Sequence, residues 1–103
     1  MKHIKSTFFL LAFILSANSA LLQAQSSSRF SANKYVSEKG DTLLYRLLFP
    51  DSDTLRRYPL VIFLHGSGER GNDNEAQLKW GVMNFATDQN MILHPAIVIA
   101  PQC

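Results

Sequence analysis

The sequence reads as an α/β protein in which an edge β-hairpin is followed by the strand–helix–strand unit of a mostly parallel sheet. Three features carry this reading. Leu60-Val61-Ile62-Phe63-Leu64 is an apolar, mostly branched run bounded by Pro59 and a glycine cluster, the pattern of a strand buried on both faces. Pro95-Ala96-Ile97-Val98-Ile99-Ala100 repeats that pattern further along, and Asn74 to Ala86 between them places Leu78, Val82 and Phe85 on one side at helical spacing. Upstream, two shorter segments flank the turn signal Gly40-Asp41.

In chain order, the first element is a targeting segment. Lys2 and Lys5 precede the uninterrupted apolar core Phe8 to Leu15, and small and polar residues follow up to Gln25. This is the three-part layout of a secretory signal peptide, with cleavage expected after Ala24 and an exported mature chain. The apolar core is too short, and too diluted by Asn18 and Ser19, for a span of about 20 apolar residues, so no stable membrane anchor is expected. The formal charge of +2 belongs to that leader: the eight remaining Lys/Arg are balanced by eight Asp/Glu. A neutral mature chain gives no basis for a nucleic-acid partner.

Residues 25–34 read as a flexible polar lead-in. Tyr35-Val36-Ser37 and Thr42 to Phe49 then read as the two strands of a hairpin turning through Glu38-Lys39-Gly40-Asp41. Tyr45, Leu47 and Phe49 alternate with Leu44, Arg46 and Leu48. Pro50 to Arg57 is a polar connection, and its Arg56-Arg57 pair reads as part of a solvated loop. The central strand at 60–64 empties into His65-Gly66-Ser67-Gly68-Glu69-Arg70-Gly71, where three glycines allow a tight turn and a close backbone approach. A loop at the carboxyl edge of parallel strands is where open α/β sheets bind ligands. The 74–86 helix is expected to break near Gly81, with Trp80 at the mouth of the cleft. Strand, helix and strand together call for a right-handed crossover.

His65-Gly66-Ser67-Gly68 behind an apolar strand resembles the HGGG-type oxyanion loop of α/β-hydrolases. The longer string His65 to Asn74, with Ala100-Pro101-Gln102-Cys103 ending the next strand, is similar to secreted bacterial α/β-hydrolases described as phospholipase/carboxylesterase-like or prolyl-oligopeptidase-like esterases. The resemblance covers roughly Asp41 to Cys103, so residues 35–103 are expected to form the N-terminal part of an α/β-hydrolase domain. Such a domain takes on the order of 200–300 residues, and the 103 residues here are read as the amino-terminal piece of a longer enzyme.

The resemblance implies site roles residue by residue. The backbone N–H of Ser67, helped by that of Gly68, is one donor of the oxyanion hole, and His65, Gly66, Glu69, Arg70 and Gly71 shape the loop. The elbow serine, the acid and the catalytic histidine would follow in that order beyond Cys103, leaving residues 25 to 103 inactive alone. The substrate would be a small ester or, second, a peptide, and no cofactor or metal is implied. Ser67 does not fit the nucleophile elbow G-x-S-x-G, because His65 and Glu69 stand where glycines belong. His65 is read as structural, at the strand end. Glu69, Arg70, Asp73 and Asn74 read first as an internal loop network, with Asp73 capping the next helix, and second as polar contacts to substrate through Arg70. Glu69, Asp73 and Glu75 lack the alternating acidic ligands of a calcium loop. Gly66, Gly68 and Gly71 satisfy G-x-G-x-x-G, but the loop does not open a helix directly, as a dinucleotide site would require. Cys103 reads as a buried thiol at a strand end. Two classes of function stay open: a secreted serine hydrolase, and a non-catalytic relative that keeps the sheet and loop without the triad.

Overall fold

A computed structural model describes residues 29–51, 53 and 55–103. The expected leader, residues 1–24, lies outside them. Four strands, β1 (Ser31–Val36), β2 (Thr42–Leu48), β3 (Leu60–Ile62) and β4 (Ile97–Gln102), form one sheet in the order β1-β2-β4-β3. β1, β2 and β4 pair antiparallel in succession, and β3 lies parallel to β4 on the outer edge. The hairpin turn falls at the Gly-Asp signal. Gly40 adopts φ 89° and donates to the Ser37 carbonyl, and Ser37 donates to Asp41, which closes the turn.

β1 begins at Ser31, inside the stretch expected to be a flexible lead-in and ahead of the expected Tyr35. As an edge strand it is held by its ladder to β2 and needs no apolar alternation, so polar Ser31, Ala32 and Asn33 serve. The buried Phe30 anchors its start, and the Ser31 hydroxyl donates to the Leu47 carbonyl at 3.2 Å. β4 also runs further than expected, through Pro101. Its odd-numbered residues direct their backbone groups towards β3, since Ile97 donates to Pro59 and Ile99 accepts from Phe63. Pro101 falls just past the end of β3, where no ladder donor is needed.

The core lies on one face of the sheet. Leu48, Val98 and Val61 stand side by side in register on β2, β4 and β3. The segment 63–96 folds back over them, contributing the buried Leu78, Val82, Ala86 and Ala96. The expected break near Gly81 is present, but the pieces on either side are 3₁₀ turns and not α-helix. Two short 3₁₀ turns, Ala76–Leu78 and Val82–Ala86, are separated by Gly81 at φ 73°, and a six-residue helix α1 (Asp88–Leu93) follows. Leu78 and Val82 enter the core as their spacing implied, with Phe85 packed partly against it. Thr87 caps α1 by accepting from the Asn90 N–H, and Arg29 ties its start to the sheet by donating to the Ala86 carbonyl at 2.7 Å and pairing with Asp88.

β3 is buried on one face only. Leu60 and Ile62 are 58% and 62% exposed and Leu64 is 75% exposed, while Val61 and Phe63 pack inward. The apolar run therefore marks a strand with one face uncovered in the described residues, not one buried on both sides.

Candidate active site

Beyond Ile62 the chain leaves the sheet, but its loop continues the pairing with β4 by other means. Cys103, the next residue of β4's edge able to donate, gives its N–H to His65 Nε2 at 3.1 Å. Its carbonyl accepts the Gly71 N–H at 3.1 Å. A backbone N–H can only donate, so Nε2 is the acceptor and the ring proton sits on Nδ1, where it is donated to the Gly66 carbonyl at 2.6 Å. His65 thus stitches the start of the loop to the end of β4. Gly71, at φ 150°, closes the far side in a conformation that favours glycine.

Between these stitches Gly66 is extended, and Ser67–Glu69 form one 3₁₀ turn closed by the Glu69 N–H on the Gly66 carbonyl at 3.3 Å. The expected plain loop therefore contains a turn. Its first two N–H groups, those of Ser67 and Gly68, meet no protein acceptor among the described residues, as the start of a helical turn requires. A Cβ built on Gly68 would meet nothing within 4 Å. Leu64, His65, Gly66, Ser67, Arg70, Pro101 and Cys103 line an open cleft of about 310 Å³. Of the residues singled out in the sequence, His65, Gly66, Ser67 and Arg70 face this cleft. Gly68, Glu69 and Gly71 are not part of its lining.

The acidic and amide residues after the loop form a scaffold. Asp73 accepts from the N–H groups of Glu75 and Ala76 at 3.0 and 3.1 Å, and so caps the turn at Ala76. Together with the side-chain amide of Gln102, these donors hold its carboxyl below the usual range. Asn74, at φ 54°, is a buried non-glycine residue in the left-handed region. Its side chain donates to the Tyr45 carbonyl at 3.2 Å, and its carbonyl accepts from Arg46 Nε at 2.6 Å. Glu69 and Arg70 form no ion pair. Glu69 instead contributes its carbonyl, which accepts from Gln102 at 3.1 Å.

Three participants carry no role in the sequence reading. Gln102 is the hub: its Oε1 accepts the Asn74 N–H at 2.6 Å, while Nε2 reaches Asp73 at 2.8 Å and the Glu69 carbonyl. Gln77 donates to Asn74 Oδ1 at 2.6 Å, and Arg46 crosses from β2. The available signal was a polar side chain on an apolar strand face, true of Arg46 between Leu44 and Leu48 and of Gln102 after Val98 and Ala100. Two other expectations are corrected. Trp80 is not part of the cleft; it is 63% exposed, with the Lys79 ammonium 5.1 Å from its ring centre. Cys103 is exposed, because it ends past the covered part of β4. Among the described residues there is no group of three or more potential metal ligands, and no helix long and apolar enough to cross a membrane.

No protein-family model and no curated protein matches the sequence. A solved structure, described as the crystal structure of a thermostable esterase, superposes with a TM-score of 0.69 at 40% identity over 76% of this chain. The chain spans 22% of the length of that esterase. The likeness and the mixed sheet fit a partial α/β-hydrolase-like fold.

Proposed function

We propose that this chain is the amino-terminal part of an exported serine hydrolase that cleaves carboxylic esters, and that Ser67 supplies one backbone donor of its oxyanion hole. The observation that carries the reading is the similarity to a thermostable esterase, 40% identical over 76% of this chain. The geometry supports it: the N–H groups of Ser67 and Gly68 are free of protein acceptors among the described residues, and Ser67 lies in a cleft. During acyl transfer the carbonyl oxygen gains negative charge, and a preorganised N–H aimed at that oxygen is worth about 3–4 kcal/mol. His65 holds the start of the loop at the end of β4, and Gln102 holds its far part through the Glu69 carbonyl, Asp73 and Asn74. Nucleophile, acid and general base would come from residues after Cys103, with the second oxyanion donor following the nucleophile.

Two substitutions test the donor. Proline fits sterically at the first position of a helical turn, where Ser67 sits, but has no N–H to donate. In the full-length protein Ser67→Pro is expected to lower kcat on a simple ester by about 10²–10³-fold. Ser67→Ala keeps the main-chain donor and is expected to stay within about threefold of wild type. A large loss in Ser67→Ala with a mild one in Ser67→Pro would assign the role to the hydroxyl and withdraw the donor.

A further inference from the structure

The cleft has a cation that no acid among the described residues pairs with. Arg29 is taken by Asp88 and the Ala86 carbonyl, Arg46 by the Asn74 and Phe30 carbonyls and Glu75, and Arg56 by Asp51 and Asp53. Arg70 is exposed, lines the cleft beside Ser67, and has no acidic or carbonyl partner among the described residues. The acid next to it in sequence does not neutralise it. Glu69 folds its carboxylate against Gly66, with Oε2 3.2 Å from where a Cβ there would sit, and forms no ion pair with Arg70. Both ring nitrogens of His65 are committed within the loop and strand, one to the Cys103 N–H and one to the Gly66 carbonyl. Leu64 and Pro101 give the same cleft an apolar wall.

We propose that Arg70 is a specificity-determining residue, and that the preferred substrates are short esters carrying a second, free carboxylate. This deepens the ester-hydrolase reading and rests on it. The ester carbonyl oxygen would sit at the Ser67 N–H and a short methylene chain against Leu64 and Pro101. The distal carboxylate would take the guanidinium, whose planar fork matches a carboxylate in two parallel hydrogen bonds.

The test compares monoethyl succinate with ethyl butyrate, two esters of the same length that differ in a terminal carboxylate against a methyl group. Hydrolysis by the full-length protein is followed by proton release. The readout is the ratio of kcat/KM for the charged ester to that for the neutral one, which a merely structural role for Arg70 would leave unmoved. Wild type is expected to favour monoethyl succinate. Arg70→Gln should lower the ratio roughly 10- to 100-fold, the usual scale for losing a charge-assisted hydrogen-bonded pair. Arg70→Lys, which keeps the charge without the fork, should fall between. A ratio unchanged within about threefold in Arg70→Gln, or a wild-type preference for ethyl butyrate, overturns the proposal and leaves the hydrolase reading standing. Turnover of neither ester by the wild-type protein removes the hydrolase reading, and the proposal falls with it.

Discussion

At His65 both ring nitrogens are committed, one to the Gly66 carbonyl and one to the Cys103 N–H, so the side chain acts as a strut for the loop and not as a free base. Asn74 makes a comparable commitment with its backbone. A left-handed φ of 54° costs an L-residue about 1–2 kcal/mol, and asparagine is a residue type that tolerates it. Here the cost is offset by contacts from both ends of the residue, to Gln102, Arg46 and Tyr45. Asp73 adds a pH dependence. Its donors favour the carboxylate, so its folded pKa lies below the unfolded one, and its contribution to stability is complete only above about pH 5, about a unit over the unfolded value. That contribution is lost as pH falls through the lower folded value. Asp73→Asn keeps an acceptor but cannot titrate. Thermal unfolding from pH 6 to pH 2.5 should therefore show a wild-type advantage over Asp73→Asn that shrinks on acidification. An advantage that grows towards low pH would contradict the assignment.

At the scale of elements, the polar segment 69–77 is tied to the strands at several points, and Gln102 makes more of these ties than any other strand residue. Gln102 holds Asn74, Asp73 and Glu69 at once, and methionine there would match its volume while leaving those groups without their partner. Gln102→Met is expected to cost about 2–4 kcal/mol, visible in urea unfolding, and to speed amide exchange at Asn74. A loss below about 0.5 kcal/mol would show that the hub is dispensable. Neither this hub nor the short turns before α1 could be read from periodicity. β2, β4 and the hairpin turn were legible because apolar runs and a Gly-Asp pair report directly on burial and on positive φ. The early start of β1 was hidden, since an edge strand with polar side chains needs only a backbone ladder. The break near Gly81 was legible and falls at a positive φ no right-handed helix accommodates, but the flanking pieces are short 3₁₀ turns from which the apolar residues reach the core separately. The loop stood out in the sequence through its glycines. The residues holding it were not, because Gln102 and Arg46 meet it only after the sheet brings distant strands together.

For the whole molecule, one face of the sheet carries the core and the loop, while Leu60, Ile62 and Leu64 leave a line of apolar side chains open on the other. Exposed apolar surface of this kind marks a face that packs against something further. The proposed longer hydrolase accounts for that face by a second covering layer, and for the 22% span of the matched esterase. It also divides the chemistry: half an oxyanion hole here and the reacting serine elsewhere. The measurement that tests this most directly is labelling with a fluorophosphonate, which reacts covalently with an activated serine, followed by mapping of the labelled peptide. The account predicts that full-length protein takes one label, on a serine beyond Cys103, and that a polypeptide of residues 25 to 103 takes none. A label on Ser67, or no label on the full-length protein, would contradict it.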